Sequence, residues 1–130
     1  MVVGLIKEIK KHEYRVGLTP SCVKEYIKNK HEVLVELDAG VGSGFSNKDY
    51  EKAGAKIINK ASKVWQKADM IVKVKEPLQE EYKYFKKDLI LFTYLHLAAN
   101  KELTLELMKN KVTAIAYETI TDNDRALPCL

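Results

Sequence analysis

Short apolar runs alternate with polar, helix-forming stretches along the whole chain, and that repeat leaves few folds open. The runs are Val2 to Ile6, Glu32 to Leu37, Ala55 to Ile58, Met70 to Val74, Leu89 to Leu95 and Val112 to Tyr117. Each has the length of a strand, and Leu89 to Leu95 is apolar almost throughout, the pattern of a strand buried on both faces. Helix signals lie between them. Thr19 is placed to cap a helix with Pro20 at its first position and Val23, Tyr26 and Ile27 on one face, ending near Asn29 to His31. Ser46 can cap NKDYEKAGA with Gly54 as its stop, Ala61 to Lys67 holds Trp65, and Asn100 can cap KELTLELMKN with Leu103, Leu107 and Met108 as a stripe. After Pro77, LQEEYKYFKK reads as one or two helical turns. Strand and helix in such regular succession predict an α/β fold: an open, mostly parallel sheet with helices on both faces and right-handed crossovers.

The chain has 130 residues, which fits one domain, 1–130, able to remove roughly two-thirds of its unfolded surface from water. A hydrophobic fraction of 46% argues against disorder. No apolar stretch approaches the roughly 20 residues that span a bilayer, and MVVGLIKEIKK runs into charge too early for a signal peptide. A cytoplasmic protein without a membrane partner is expected. The 22 Lys+Arg exceed the 18 Asp+Glu to give +4, yet the signs interleave in KEIKKHE and KEPLQEEYKYFKK, which argues for a solvated surface and against nucleic acid as a partner. Cys22 and Cys129 form no CxxC pair and no zinc-type spacing, so two free thiols and no metal are expected.

Three cationic or protonatable residues, Arg15, Lys75 and His96, fall just beyond apolar runs, in HEYRVGLTP, IVKVKEP and LFTYLHLAA. A parallel sheet carries all three to its carboxyl edge, where open α/β sheets bind ligands. Lys75 precedes Glu76-Pro77, where the backbone must extend or turn, and its ammonium could meet a carboxylate or carbonyl. A plain surface lysine is the alternative. Lys73 shares its face by period two but lies inside the strand, which favours Lys75. His96 closes the most hydrophobic run, so a partly desolvated general acid or base and a core histidine are both open. Arg15 offers a planar fork for a carboxylate or pins its own loop. Glu118, on the same edge, could orient Lys75, pair with Arg15 or face water. The glycines of AGVGSGF stand at 40, 42 and 44, which gives GxGxG and not the dinucleotide GxGxxG, so a tight structural turn is expected there.

Taken together, GLIKEIKKHEYRVGLTP, AGVGSGFSNKDYEKAGA, VWQKADMIVKVKEP, LFTYLHLAA and VTAIAYETI running into ALPCL resemble the amino-terminal part of the alanine dehydrogenase family, over essentially the whole chain. The related transhydrogenases share the opening and the glycine loop but typically lack the lysine of VKVKEP and the histidine of TYLHLA, both present here. The resemblance implies a Rossmann-like or flavodoxin-like substrate domain of a two-domain, NAD-dependent enzyme. That enzyme interconverts L-alanine with pyruvate and ammonium and assembles as a homo-oligomer, commonly a hexamer. It also implies that Arg15 and Lys75 hold the substrate while Lys75 and His96 are catalytic. The NAD-binding domain is expected beyond residue 130. The chain thus reads as truncated at ALPCL and, by itself, is expected to fold and bind pyruvate weakly without turning it over. The alternatives are the amino-terminal domain of a transhydrogenase alpha subunit and a non-catalytic module for small anions.

Overall fold

The expected β-then-α order is realised in the computed structural model, which describes residues 1–129. Strands β1 (Val2–Leu5), β2 (Glu32–Glu36), β3 (Lys56–Ile58), β4 (Met70–Val72), β5 (Ile90–Thr93) and β6 (Thr113–Ala116) alternate with helices α1 (Pro20–Lys28), α2 (Asn47–Lys52), α3 (Ala61–Lys67) and α4 (Lys101–Lys109). The strands form one sheet in the order β3-β2-β1-β4-β5-β6, with every neighbouring pair parallel. Winding proceeds from β1 to β3 on one side and from β4 to β6 on the other. The gap between the carboxyl ends of β1 and β4 is therefore the switch point, where loops diverge and leave a crevice.

Local chemistry starts the helices as anticipated. The Thr19 hydroxyl accepts from the Cys22 N–H with Pro20 next, Asn100 accepts from Leu103, and Ser46 and Asp49 form a reciprocal capping box. Gly54 follows the end of α2 with φ 101°. The segment after Pro77 is tighter than an α-helix, a 3₁₀ stretch at Gln79–Tyr84.

Period-two alternation divides the core into two layers. Val3, Leu5, Val33, Val35 and Val72 pack with Val23 of α1 and Tyr50 of α2. On the other face Leu34, Ile71 and Leu91 pack with Val64 and Trp65 of α3 and Leu103 and Leu107 of α4. Gly4 faces α3, and a Cβ there would lie 2.6 Å from Ile71 Cδ1 and 2.8 Å from Val64 Cγ1, so glycine is what lets helix and sheet meet.

The run Leu89–Leu95 differs from the expectation of burial on both faces. Leu91 and Thr93 are fully buried, but Ile90 and Phe92 are only half-buried, and Ile115 beside Phe92 on β6 is 40% exposed. The reason is coverage: α1 and α2 lie with β1, β2 and β3, and the layer they complete does not reach β5 and β6. The strand also stops at Thr93, two residues short of the run's end.

Candidate functional site

Arg15 emerges at the switch point on the loop after β1. Its side chain is 62% exposed, and its guanidinium is gripped by Glu13, whose carboxylate accepts from Nε at 2.9 Å, from Nη2 at 2.7 Å and from the Arg15 backbone N–H at 2.9 Å. That contact, with a smaller contribution from the charge of Lys75, pulls the Glu13 carboxyl down to about 2. Between them, the carbonyl of Tyr14 accepts from the Ser43 hydroxyl at 3.0 Å, and a Cβ on Gly42 would stand 2.7 Å from the same oxygen. The glycine loop thus braces the arginine loop. Sequence reading missed Glu13, although Glu-Tyr-Arg in extended backbone puts residues 13 and 15 on one side.

Lys73 and Lys75 separate sharply. Lys73 is 1% exposed and lies between two carboxylates, 3.0 Å from Glu81 Oε1 and 3.2 Å from Glu8 Oε2. The other Glu8 oxygen accepts the Val74 N–H at 2.7 Å, and Glu81 accepts the Leu78 N–H at 2.9 Å. Burial pushes the Glu8 carboxyl above its ordinary value in spite of Lys73. Lys75, half-buried, reaches out over Tyr94 with Nζ 5.9 Å from the ring centroid. Its carbonyl is held by the Thr93 hydroxyl at 2.9 Å, and the next residue, Glu76, pairs with Lys10. Burial raises the Glu76 carboxyl, but the contact with Lys10 outweighs it and leaves the group low.

His96 lies neither in the core nor in the strand. It is exposed, three residues past the end of β5, in left-handed backbone with φ 49° and ψ 39°. Glu118 explains the position: its carboxylate accepts the backbone N–H of His96 at 2.7 Å and of Leu95 at 3.0 Å. Those bonds take the two N–H groups just past Tyr94, whose own N–H reaches the Val74 carbonyl. They also hold Glu118 below the usual carboxylate range against the effect of its own burial. Glu118 therefore neither orients Lys75 nor pairs with Arg15; it supports the backbone that carries the imidazole. The remaining histidines are remote from this arrangement: His31 meets the Met1 amino group at the opposite edge, and His12 approaches Tyr14.

Tyr94 is the common neighbour. Its ring stacks with that of His96, centroids 6.1 Å apart and planes 18° apart, and lies beneath the Lys75 ammonium. It also lines, with Arg15, Val72, Phe92 and Tyr117, a hollow of roughly 580 Å³ at the carboxyl edge. His96 and Glu118 line a second hollow of roughly 370 Å³ alongside. The three expected groups thus share one edge and one aromatic neighbour but not one cavity wall. Arg15 opens on the first hollow, His96 on the second, and Lys75 stands over the tyrosine they flank.

The glycine loop contains no dinucleotide cradle. Val41–Ser43 is a single 3₁₀ turn, and Gly40 and Gly42 are filled against Tyr50 and Tyr14. Among the described residues there is no cluster of groups able to hold a metal ion and no helix long and apolar enough to cross a membrane. Cys22 and Cys129 are both exposed and unbridged.

A doubly wound parallel α/β domain with cationic side chains at its carboxyl edge is the class of protein these features define. A family model described as alanine dehydrogenase/PNT, N-terminal domain, matches residues 4–130, and the chain belongs to that family. It is 58% identical to the alanine dehydrogenases of Staphylococcus haemolyticus and Bacillus subtilis, over 100% of this chain and 35% and 34% of theirs. A solved L-alanine dehydrogenase superposes with a TM-score of 0.96 at 51% identity, over 98% of this chain and 35% of that one. A transhydrogenase from Sinorhizobium meliloti superposes with a TM-score of 0.88 at 27% identity, over 96% and 36%. The chain spans about a third of the length of the curated relatives it matches.

Proposed function

We propose that residues 1–130 are the substrate-binding part of an NAD-dependent L-alanine dehydrogenase, which interconverts L-alanine with pyruvate and ammonium. The observation that carries this reading is the 58% identity over the whole chain to proteins of that name, against 27% to the transhydrogenase. NAD supplies the hydride acceptor. The residues of this chain do not fit it, because the one glycine loop is packed shut, so the dinucleotide is assigned to the part of the relatives that this chain does not span. Cytoplasmic location and a homo-oligomeric assembly belong to the same proposal.

Within this domain, Arg15 and Lys75 divide the charge of a keto acid. The guanidinium meets the carboxylate in a planar, two-point contact that an ammonium cannot make. The ammonium of Lys75 faces the keto oxygen and offsets the negative charge that grows there when ammonia adds to the carbonyl carbon, a preorganised electrostatic effect. His96, exposed beside Tyr94, gives and takes the protons that addition of ammonia and departure of water require. Its left-handed backbone, capped by Glu118, fixes where the imidazole starts from.

Steady-state assay of the complete natural chain with pyruvate, ammonium and NADH tests the assignment. Lys75→Ala and His96→Ala are expected to lower kcat by about 10²-fold or more, the ordinary weight of one acid–base or charge-stabilising group. Arg15→Ala is expected to act mainly on the KM for pyruvate. Wild-type turnover in Lys75→Ala would sink the reading, and hydride exchange between NAD(H) and NADP(H) without any pyruvate-dependent oxidation would replace it with the transhydrogenase one.

A further inference from the structure

We propose that Glu13 is the positioning residue that aims Arg15: it grips the side edge of the guanidinium, Nε and Nη2, so that the end edge, Nη1 and Nη2, faces the substrate carboxylate. The inference rests on the proposed substrate site and goes one residue beyond it.

Arg15 has little else to hold it. With 62% of its side chain exposed, packing does not select a rotamer, and among the described residues Glu13 is the side-chain partner of its guanidinium. Glu13 is the opposite case, since its side chain is only 8% exposed and its carboxylate takes three bonds from one residue. Most surface ion pairs contribute almost nothing. A bidentate contact to a shielded carboxylate is the geometry that does better.

The two residues are also fixed relative to each other through the backbone. Tyr14 lies between them, tied to Ser43 and pressed against Gly42. A carboxylate beside an anion site could equally act as a competitor that the substrate must displace. The edge it occupies decides between the two: Nη1 has no partner among the described residues, so a ligand can engage the end of the fork while Glu13 keeps the side.

The test uses the complete natural chain and the variants Glu13→Gln, Arg15→Ala and both together. In Glu13→Gln the KM for pyruvate is expected to rise about tenfold, with kcat within about twofold and the KM for ammonium unchanged. In the Arg15→Ala background the same substitution is expected to change nothing, because the group it aims has gone. Equal effects in both backgrounds would overturn the proposal, as would a lower KM in Glu13→Gln, the mark of a competitor. The ¹⁵N resonance of Arg15 Nε–H reads the grip without any substrate: protected in the parent and exposed to exchange in Glu13→Gln. An unchanged resonance overturns the proposal. A lost resonance in a protein that does not use pyruvate leaves the aiming of Arg15 standing and removes only the substrate assignment.

Discussion

Lys73 and Lys75 stand two residues apart just past the end of β4, yet they belong to different regions of the molecule. Lys73 is closed in with Glu8 and Glu81, an inner cluster joining the loop after β1, the end of β4 and the 3₁₀ turn at Gln79–Tyr84. Lys75 lies at the outer rim beside Tyr94, which stacks with His96, and its ammonium stands over the tyrosine ring. One buried residue, Val74, separates a cation enclosed by carboxylates from one that stands over a tyrosine ring. The inner cluster fixes the outer one as well, because the Glu8 carboxylate that balances Lys73 also takes the N–H of Val74, the residue just before Lys75.

The contrast is easiest to break at Lys73. Lys73→Ala leaves two carboxylates buried without a cation and is expected to lower unfolding stability by about 3–5 kcal/mol in urea denaturation. Lys75→Ala, with its head group at the rim, is expected to stay within about 0.5 kcal/mol. Equal losses from the two would erase the distinction. Glu118→Ala probes a rim carboxylate that serves backbone: freeing the N–H groups of Leu95 and His96 is expected to remove about 1–3 kcal/mol, with faster hydrogen exchange confined to those two amides and their neighbours.

Acid titration sharpens the comparison with the smallest effect. Glu8 is raised, so the folded state binds a proton there that the unfolded state has already released; its charged form weakens the fold as pH rises from 4.5 toward its folded value. Glu13 is lowered to about 2, so its contribution is complete above its ordinary value of 4.5 and is lost as pH falls toward 2. Carboxyl ¹³C shifts followed from neutral to acid pH are expected to show Glu8 protonating first and Glu13 near the end. The reverse order would contradict the burial of one and the pairing of the other.

What could be read from the chain was whatever local chemistry decides. The strands, the caps at Thr19, Ser46 and Asn100 and the carboxyl-edge placement of Arg15, Lys75 and His96 follow from hydrogen-bonding side chains, periodicity and a parallel repeat, all short-range signals. The Glu8 partner of Lys73 was not legible, because it lies 65 positions earlier and only the β1–β4 pairing brings it close. The exposure of His96 was not legible for a related reason. The apolar run continues past it, but β5 ends at Thr93; the Tyr94 N–H still reaches the Val74 carbonyl, and Glu118 takes the N–H groups of Leu95 and His96. Nor could VTAIAY reveal that it forms an outer strand, since strand order in the sheet is settled by tertiary packing and not by the composition of one segment.

Gly42 makes the rim depend on a residue that has no side chain of its own. Because its missing side chain is what lets the loop after β2 close on the Tyr14 carbonyl, the aim of a guanidinium is set from a different part of the sheet, much as a gunsight is set by its mount. A single methyl group there would turn the arginine without altering any charge.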